Sequence, residues 1–259
     1  MAPETALSPA SILGAGLPGM TGRSRRATLK AVMLAFSPWM EVERPERIAL
    51  PGPILFALNH SNSVESVVIP STLLWLRQGA PVHFLADWMY LRLPGVGWLL
   101  RQGEVIPVYG KPARFRLLEE HRLERRRDSA LDACLDRLAA GACVGIFPEG
   151  TRNPDPRRLL RGRGGLGELV LRSEAPVLPV GIHYPAAGRL GRAPRVGRFV
   201  LRPGEPLDFR EEREAGREAN LPRRERSALS RRIVGRVMSE LARLSGKNAG
   251  KNDLIGGDP

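Results

Sequence analysis

The sequence predicts a single α/β domain built on a mixed, largely parallel β-sheet flanked by helices. Short apolar runs bounded by Pro, Gly and Asn alternate with longer segments whose apolar residues recur at helical spacing, the rhythm of strands covered by helices on both faces. The run "ACVGIFPEG" stays apolar without alternation up to Pro148, as a strand buried on both faces requires. A chain of 259 residues with 42% hydrophobic content can bury one large core, and no linker rich in Pro, Gly or Ser divides it.

The elements follow in order. Residues 1–22 are rich in Ala, Pro, Gly and Ser without a positive n-region, and are expected to form a disordered leader. Residues 23–45 are expected to form an amphipathic, membrane-associating helix region, with Arg23, Arg25, Arg26 and Lys30 ahead of the apolar stretch "AVMLAFSPWM". That stretch is about half the roughly 20 residues needed to cross a bilayer. The same pattern also suits a helix packed on the core. The domain proper is expected over 46–245. "PGPILFAL" reads as a buried strand, and "VESVVIPSTLLWLRQG" as a helix bent near Pro70 and stopped by Gly79. "VHFLAD" and "VIPVYG" read as strands, and "RDSALDACLDRLAAG" as a helix ended by Gly141. After the strand "ACVGIFPEG" come a helix at "GLGELVLRSE" and strands at "APVLPVGIHY" and "RVGRFVLRPGEPL". Leu229, Ile233, Val237, Leu241 and Leu244 make one stripe of a C-terminal helix, and 246–259 is expected to be a disordered tail.

The net charge of +13, nearly all of it arginine, points to an anionic partner: nucleic acid, a membrane surface or a phosphorylated substrate. A merely solvated basic surface would look the same, and no nucleic-acid-reading motif or aromatic platform accompanies the charge. Cys134 and Cys143 stand apart from each other and from any histidine at zinc spacing, so a reduced, cytosolic chain without structural metal is expected. "GRGGLG" matches G-x-G-x-x-G but follows a charged loop rather than a strand, which removes the dinucleotide-binding context. No Walker A loop, G-x-S-x-G elbow or H-E-x-x-H occurs.

Two constellations carry candidate chemistry. In "NHSNSVE", His60 ends a buried strand just before a helix, an address where open α/β sheets place ligands. One helical turn returns Glu65 beside it, so the carboxylate either orients a histidine base or caps the helix with Asn62. In "FPEGTR", Glu149, Gly150, Thr151 and Arg152 follow a strand in a tight turn. Arg152 can grip a phosphate or carboxylate through two parallel hydrogen bonds, although an ordinary surface turn would carry the same residues.

Taken together, these residues resemble the glycerolipid acyltransferase family, whose first block is usually N-H-x-S-x-x-D and whose third is F-P-E-G-T-R. "NHSNSVE" matches at Asn59, His60 and the acidic position, "FPEGTR" is unaltered at 147–152, "VLPVGI" matches the fourth block, and "LPGVGWLLRQGEVIPV" is similar to the passage between the first and third. The resemblance covers about 50–210. It implies a glycerol-3-phosphate acyltransferase-like single domain and an O-acyltransferase of bacterial phospholipid biosynthesis. His60 would be its general base, Glu65 the residue orienting it, and Glu149, Gly150, Thr151 and Arg152 the substrate-binding turn. The donor would be acyl-CoA or acyl-carrier protein, used as co-substrate with no metal and no bound cofactor. The acceptor would be 1-acyl-glycerol-3-phosphate or a related lysolipid, and the protein would sit peripherally on the anionic inner face of the cell membrane, with no nucleic acid as partner.

Three positions depart from the family pattern. Glu65 stands for the usual aspartate, Asn62 for the serine, and Tyr109-Gly110 where a phosphate-binding arginine is usual, with Arg114 and Arg116 the nearest substitutes. These departures keep two other readings open: a catalytically silent lipid-binding member, and an acyltransferase for a non-phosphate acceptor. "DWMYLRLPGVGWLLRQ" mixes aromatic and aliphatic residues with Arg92 and Arg101, as suits a lipid-facing surface, the wall of an acyl-chain groove or a packed core segment.

Overall fold

A computed structural model describes residues 7–110, 112, 119–120, 129–190, 197–217 and 222–249. In chain order the helices are α1 (Pro9–Gly14), α2 (Arg23–Phe36), α3 (Glu65–Leu76), α4 (Val96–Gln102), α5 (Ala130–Ala139), α6 (Gly165–Arg172), α7 (Ala187–Leu190), α8 (Arg210–Gly216) and α9 (Arg223–Ser245). The strands are β1 (Met40–Val42), β2 (Leu55–Leu58), β3 (Val82–Asp87), β4 (Ile106–Val108), β5 (Cys143–Ile146), β6 (Val177–His183) and β7 (Phe199–Pro203). They form one seven-stranded sheet in the order β1-β7-β6-β2-β5-β3-β4. All neighbours are parallel except β6 and β7, so the sheet is mixed and largely parallel.

Helices cover both faces. Alternate side chains of β2 serve two cores: Phe56 and Leu58 pack with α1, α2 and α3, while Leu55 and Ala57 pack with α5, α6 and α9. This is why "ILFAL" carries no polar residue. Pro70 lies inside α3 without ending it, and Gly79 and Gly141, at φ +87° and +80°, turn the chain after α3 and α5.

The connections decide where a site can form. From β2 the chain enters α3 on one face, and from the adjacent β5 it enters α6 on the other. Two parallel neighbours whose outgoing loops part to opposite faces open a crevice at their carboxyl edge, the usual ligand position in such sheets. His60 leaves β2 there, and Glu149 leaves β5.

The ends differ from expectation. Of the leader expected to be disordered, residues 7–22 are packed: Ser8 caps α1 with its side chain, and Ile12, Leu17 and Met20 are buried in the core. Gly19 touches backbone so closely that a Cβ would stand 2.6 Å from Ala80 N. At Gly19 a glycine that reads as disorder is a requirement of close approach. In α2, where a membrane-associating helix was expected with packing on the core as the open alternative, Leu29 and Met33 face the core, Arg25 pairs with Glu104, and Lys30 donates to the Leu13 carbonyl. The apolar stretch beyond it includes a strand, β1, where a continued helix was expected. The expected disordered tail is packed over 246–249, where Asn248 bridges to Arg158, and 250–259 lie outside the described residues. No helix among the described residues is long and apolar enough to cross a membrane.

Candidate active site

The parallel sheet brings the two sequence motifs together. Asn59, fully buried, exchanges two hydrogen bonds with the backbone of Ile182, extending the β2–β6 pairing by one side-chain rung (2.7 and 3.0 Å). On the other side, the His60 N–H donates to Glu149 Oε1 at 3.1 Å, and the His60 carbonyl accepts from the Asn153 N–H at 2.7 Å. The His60 backbone is thus held by the loop after β5, leaving its ring free for another partner.

That partner is Glu65. His60 Nδ1 lies 2.8 Å from Glu65 Oε2, and the same oxygen accepts the Ser61 N–H at 2.6 Å. The other oxygen accepts the Tyr184 hydroxyl at 2.7 Å. Capping and orientation coexist: Asn62 Oδ1 accepts from the Val64 and Glu65 N–H groups at 2.9 and 3.3 Å, while Glu65 reaches back past it. With Nδ1–H given to the carboxylate, Nε2 keeps its lone pair. Burial, then the neighbouring Glu65 charge, push the Tyr184 phenol far above its ordinary value, so it stays a donor.

A column of rings supports the imidazole. Phe147 stacks on His60 with centroids 4.2 Å apart, and Phe84 lies behind it at 5.5 Å. Gly145 makes room for Phe84, because a Cβ there would fall 2.3 Å from that ring.

The FPEGTR turn divides into an inner and an outer part. Glu149 is buried, and its second oxygen accepts from Asn153 Nδ2 and the Leu160 N–H at 2.9 and 2.8 Å. Its carboxylate therefore binds protein: it ties the turn to His60, a different task from the substrate contact expected of it. Gly150 turns the chain at φ +66°, and Thr151 and Arg152 follow it exposed at the rim. Arg163 stands beside them, with its Nε 3.3 Å from the Glu149 carbonyl. Tyr109 packs near Trp88, and Arg114 and Arg116 lie outside the described residues.

Four contributors escaped sequence reasoning: Ser61, Asn153, Tyr184 and Lys247. Tyr184 is the last residue of the predicted strand "APVLPVGIHY", at its carboxyl end, which was a usable signal. Lys247 lies in a segment that reads as frayed and offers none.

The chain resembles known proteins in sequence and fold. The family model described as Acyltransferase matches residues 40–183. The chain is 24% identical over 213 residues to the 1-acyl-sn-glycerol-3-phosphate acyltransferase of Bacillus subtilis (strain 168), covering 81% of this chain and 92% of that protein. The crystal structure of the 1-acyl-sn-glycerophosphate (LPA) acyltransferase PlsC from Thermotoga maritima shares the fold with a TM-score of 0.53 and 22% identity, over 90% of this chain and 87% of that one.

Proposed function

The chain belongs to the acyltransferase family, and from that premise we propose that it moves a fatty acyl group from acyl-CoA or acyl-carrier protein to a hydroxyl of 1-acyl-glycerol-3-phosphate or a related lysolipid. The observation that carries the reading is the buried His60–Glu65 pair at 2.8 Å, set at the carboxyl edge of the central strands. His60 Nε2 takes the proton of the acceptor hydroxyl as its oxygen attacks the thioester carbonyl carbon, and Glu65 balances the imidazolium that forms. The C–S bond then breaks, the new ester remains on the acceptor, and the thiol leaves with the proton from His60. Neither metal nor bound cofactor is required. The name of the Bacillus relative supports the acceptor class.

Arg152, exposed beside the pair, is the cation offered to the acceptor's phosphate. An open, mostly apolar groove runs between α2, α3 and α4, with Ser66 and Val67, the two residues after Glu65, among its lining residues. It suits an acyl chain. Tyr90, Leu93, Val96 and Trp98 are 43–48% exposed on one knuckle, with Arg92 and Arg101 exposed among them. That mixture suits peripheral docking on the anionic inner face of the cell membrane better than α2, whose Leu29 and Met33 are buried in the core.

The test is thiol release and mass detection of acylated product with acyl-CoA and a panel of lysolipids. Wild-type protein is expected to acylate the phosphate-bearing lysolipid, and His60→Ala to lose about 10³-fold in rate with an unchanged circular dichroism spectrum. Full activity in folded His60→Ala would overturn the reading.

A further inference from the structure

Behind the His60–Glu65 pair lies a cation that the mechanism above does not use. The long helix α9 ends at Ser245, and Gly246 at φ +72° turns the chain back toward the sheet. The following segment is pinned on both sides: the Asn248 N–H donates to the Arg157 carbonyl at 2.7 Å, and the Leu159 N–H to the Asn248 carbonyl at 3.0 Å. Just before this anchored residue Lys247 points inward, only 7% exposed, and its Nζ donates to Ser61 Oγ at 3.1 Å. Ser61 is the residue whose N–H holds Glu65 Oε2.

The charges around it explain why a cation belongs there. Glu65 and Glu149 are each 1% exposed, and both are bonded to the loop that carries His60. Two carboxylates buried close to one loop repel each other unless a positive charge stands near both. Burial lowers the Lys247 ammonium from its ordinary value, and Glu149, Glu65 and Asp155 act in the opposite direction. In a chain whose cations are nearly all arginines, this buried one is a lysine.

We propose that Lys247 is a positioning residue for the His60–Glu65 pair: its ammonium balances Glu65 and Glu149 and, through Ser61, holds the loop that carries the histidine. The inference rests on reading His60 as the base. The titratable and charged groups facing this cluster are His60 and Glu65 around the start of α3, Glu149, Asp155 and Arg163 from the loop after β5, and Tyr184 with His183 at the end of β6. A positive charge in their midst opposes protonation of the imidazole, and its loss favours it.

The experiment follows the His60 ring by NMR across pH in the full chain, with its signals assigned from His60→Ala, alongside kcat and KM for acyl transfer. In Lys247→Met and Lys247→Gln the His60 midpoint is expected to rise by about half a pH unit or more. The acidic limb of the rate profile should move with it, and kcat should fall about tenfold with KM nearly constant. Lys247→Arg is expected to bring the midpoint back toward wild type. If Lys247→Met does not fold, Lys247→Gln, which keeps a donor for Ser61, decides the matter. A midpoint unchanged in the folded neutral variants overturns the proposal, as does an equal displacement in Lys247→Arg, which would make space rather than charge the cause. Ring titration does not depend on turnover, so failure of the base reading, seen as activity in His60→Ala, is distinguishable from failure of this one.

Discussion

His60 and Glu65 are joined by a bond that uses the full length of a glutamate. The carboxylate reaches from the first turn of α3 to Nδ1 while keeping Ser61 N–H and the Tyr184 hydroxyl. An aspartate at this position would draw back by about 1.5 Å, one C–C bond. Glu65→Asp is therefore expected to lower kcat by about 10- to 100-fold through misplacement of the ring, and Glu65→Gln, which keeps length but not charge, by more. Steady-state kinetics on both variants checks this, and an unimpaired Glu65→Asp would mean that the helix start shifts to follow the shorter side chain. Tyr184→Phe removes a donor from Glu65 and a partner from Asn62 Nδ2, both buried. Its expected cost is about 2 kcal/mol in urea unfolding. His60 and Glu65 could be read from spacing because both belong to one strand-to-helix turn. Tyr184 and Lys247 lie more than 100 residues further along and reach the pair only through the fold.

The loops after β2 and β5 act as one structure because Glu149 is shared between them. Glu149→Gln would point an N–H₂ group either at His60 N or at both Asn153 Nδ2 and Leu160 N. A loss of about 2 kcal/mol is expected, together with lower kcat, since the His60 backbone loses its tether. Gly150→Ala meets two obstacles, a positive φ of +66° and a Cβ 2.4 Å from Arg163 Nε. The arginine is flexible and can move, so the backbone conformation dominates, at about 1–2 kcal/mol by thermal or urea unfolding. Most of these elements were legible because buried strands and helices have distinct periods. The strand β1 was not: it is three residues long, and its apolar Met40 and Val42 continue the pattern of the helix before it.

Across the molecule, the amino-terminal segment belongs to the core. Deleting residues 1–20 would uncover the surfaces that bury Ile12, Leu17 and Met20, at a cost of roughly 5 kcal/mol. The truncated chain is expected to unfold at clearly lower urea concentration, whereas an unchanged midpoint would restore the idea of a dispensable leader. The net charge of +13 and the exposed knuckle at 90–98 act together in the proposed membrane docking. Binding to anionic vesicles should weaken as salt rises, and Trp98→Asp should weaken it further while leaving the unfolding midpoint within about 0.5 kcal/mol of wild type. Equal vesicle binding by Trp98→Asp would place the contact elsewhere.

Local chemistry along the chain was enough to set the alternation of strands and helices, the buried character of the central strands, and the two motifs at strand ends, because each depends on residues within a few positions of one another. The long-range pairings were decided only in the folded state. Parallel neighbours β2 and β5 put His60 beside Glu149, the turn after α9 drove Lys247 beneath Ser61, and burial of Ile12, Leu17 and Met20 made residues 7–22 part of the core. The physical reason is the same in each case. Burial and hydrogen bonding reward partners brought together by topology, and no local pattern encodes which distant residue will meet them.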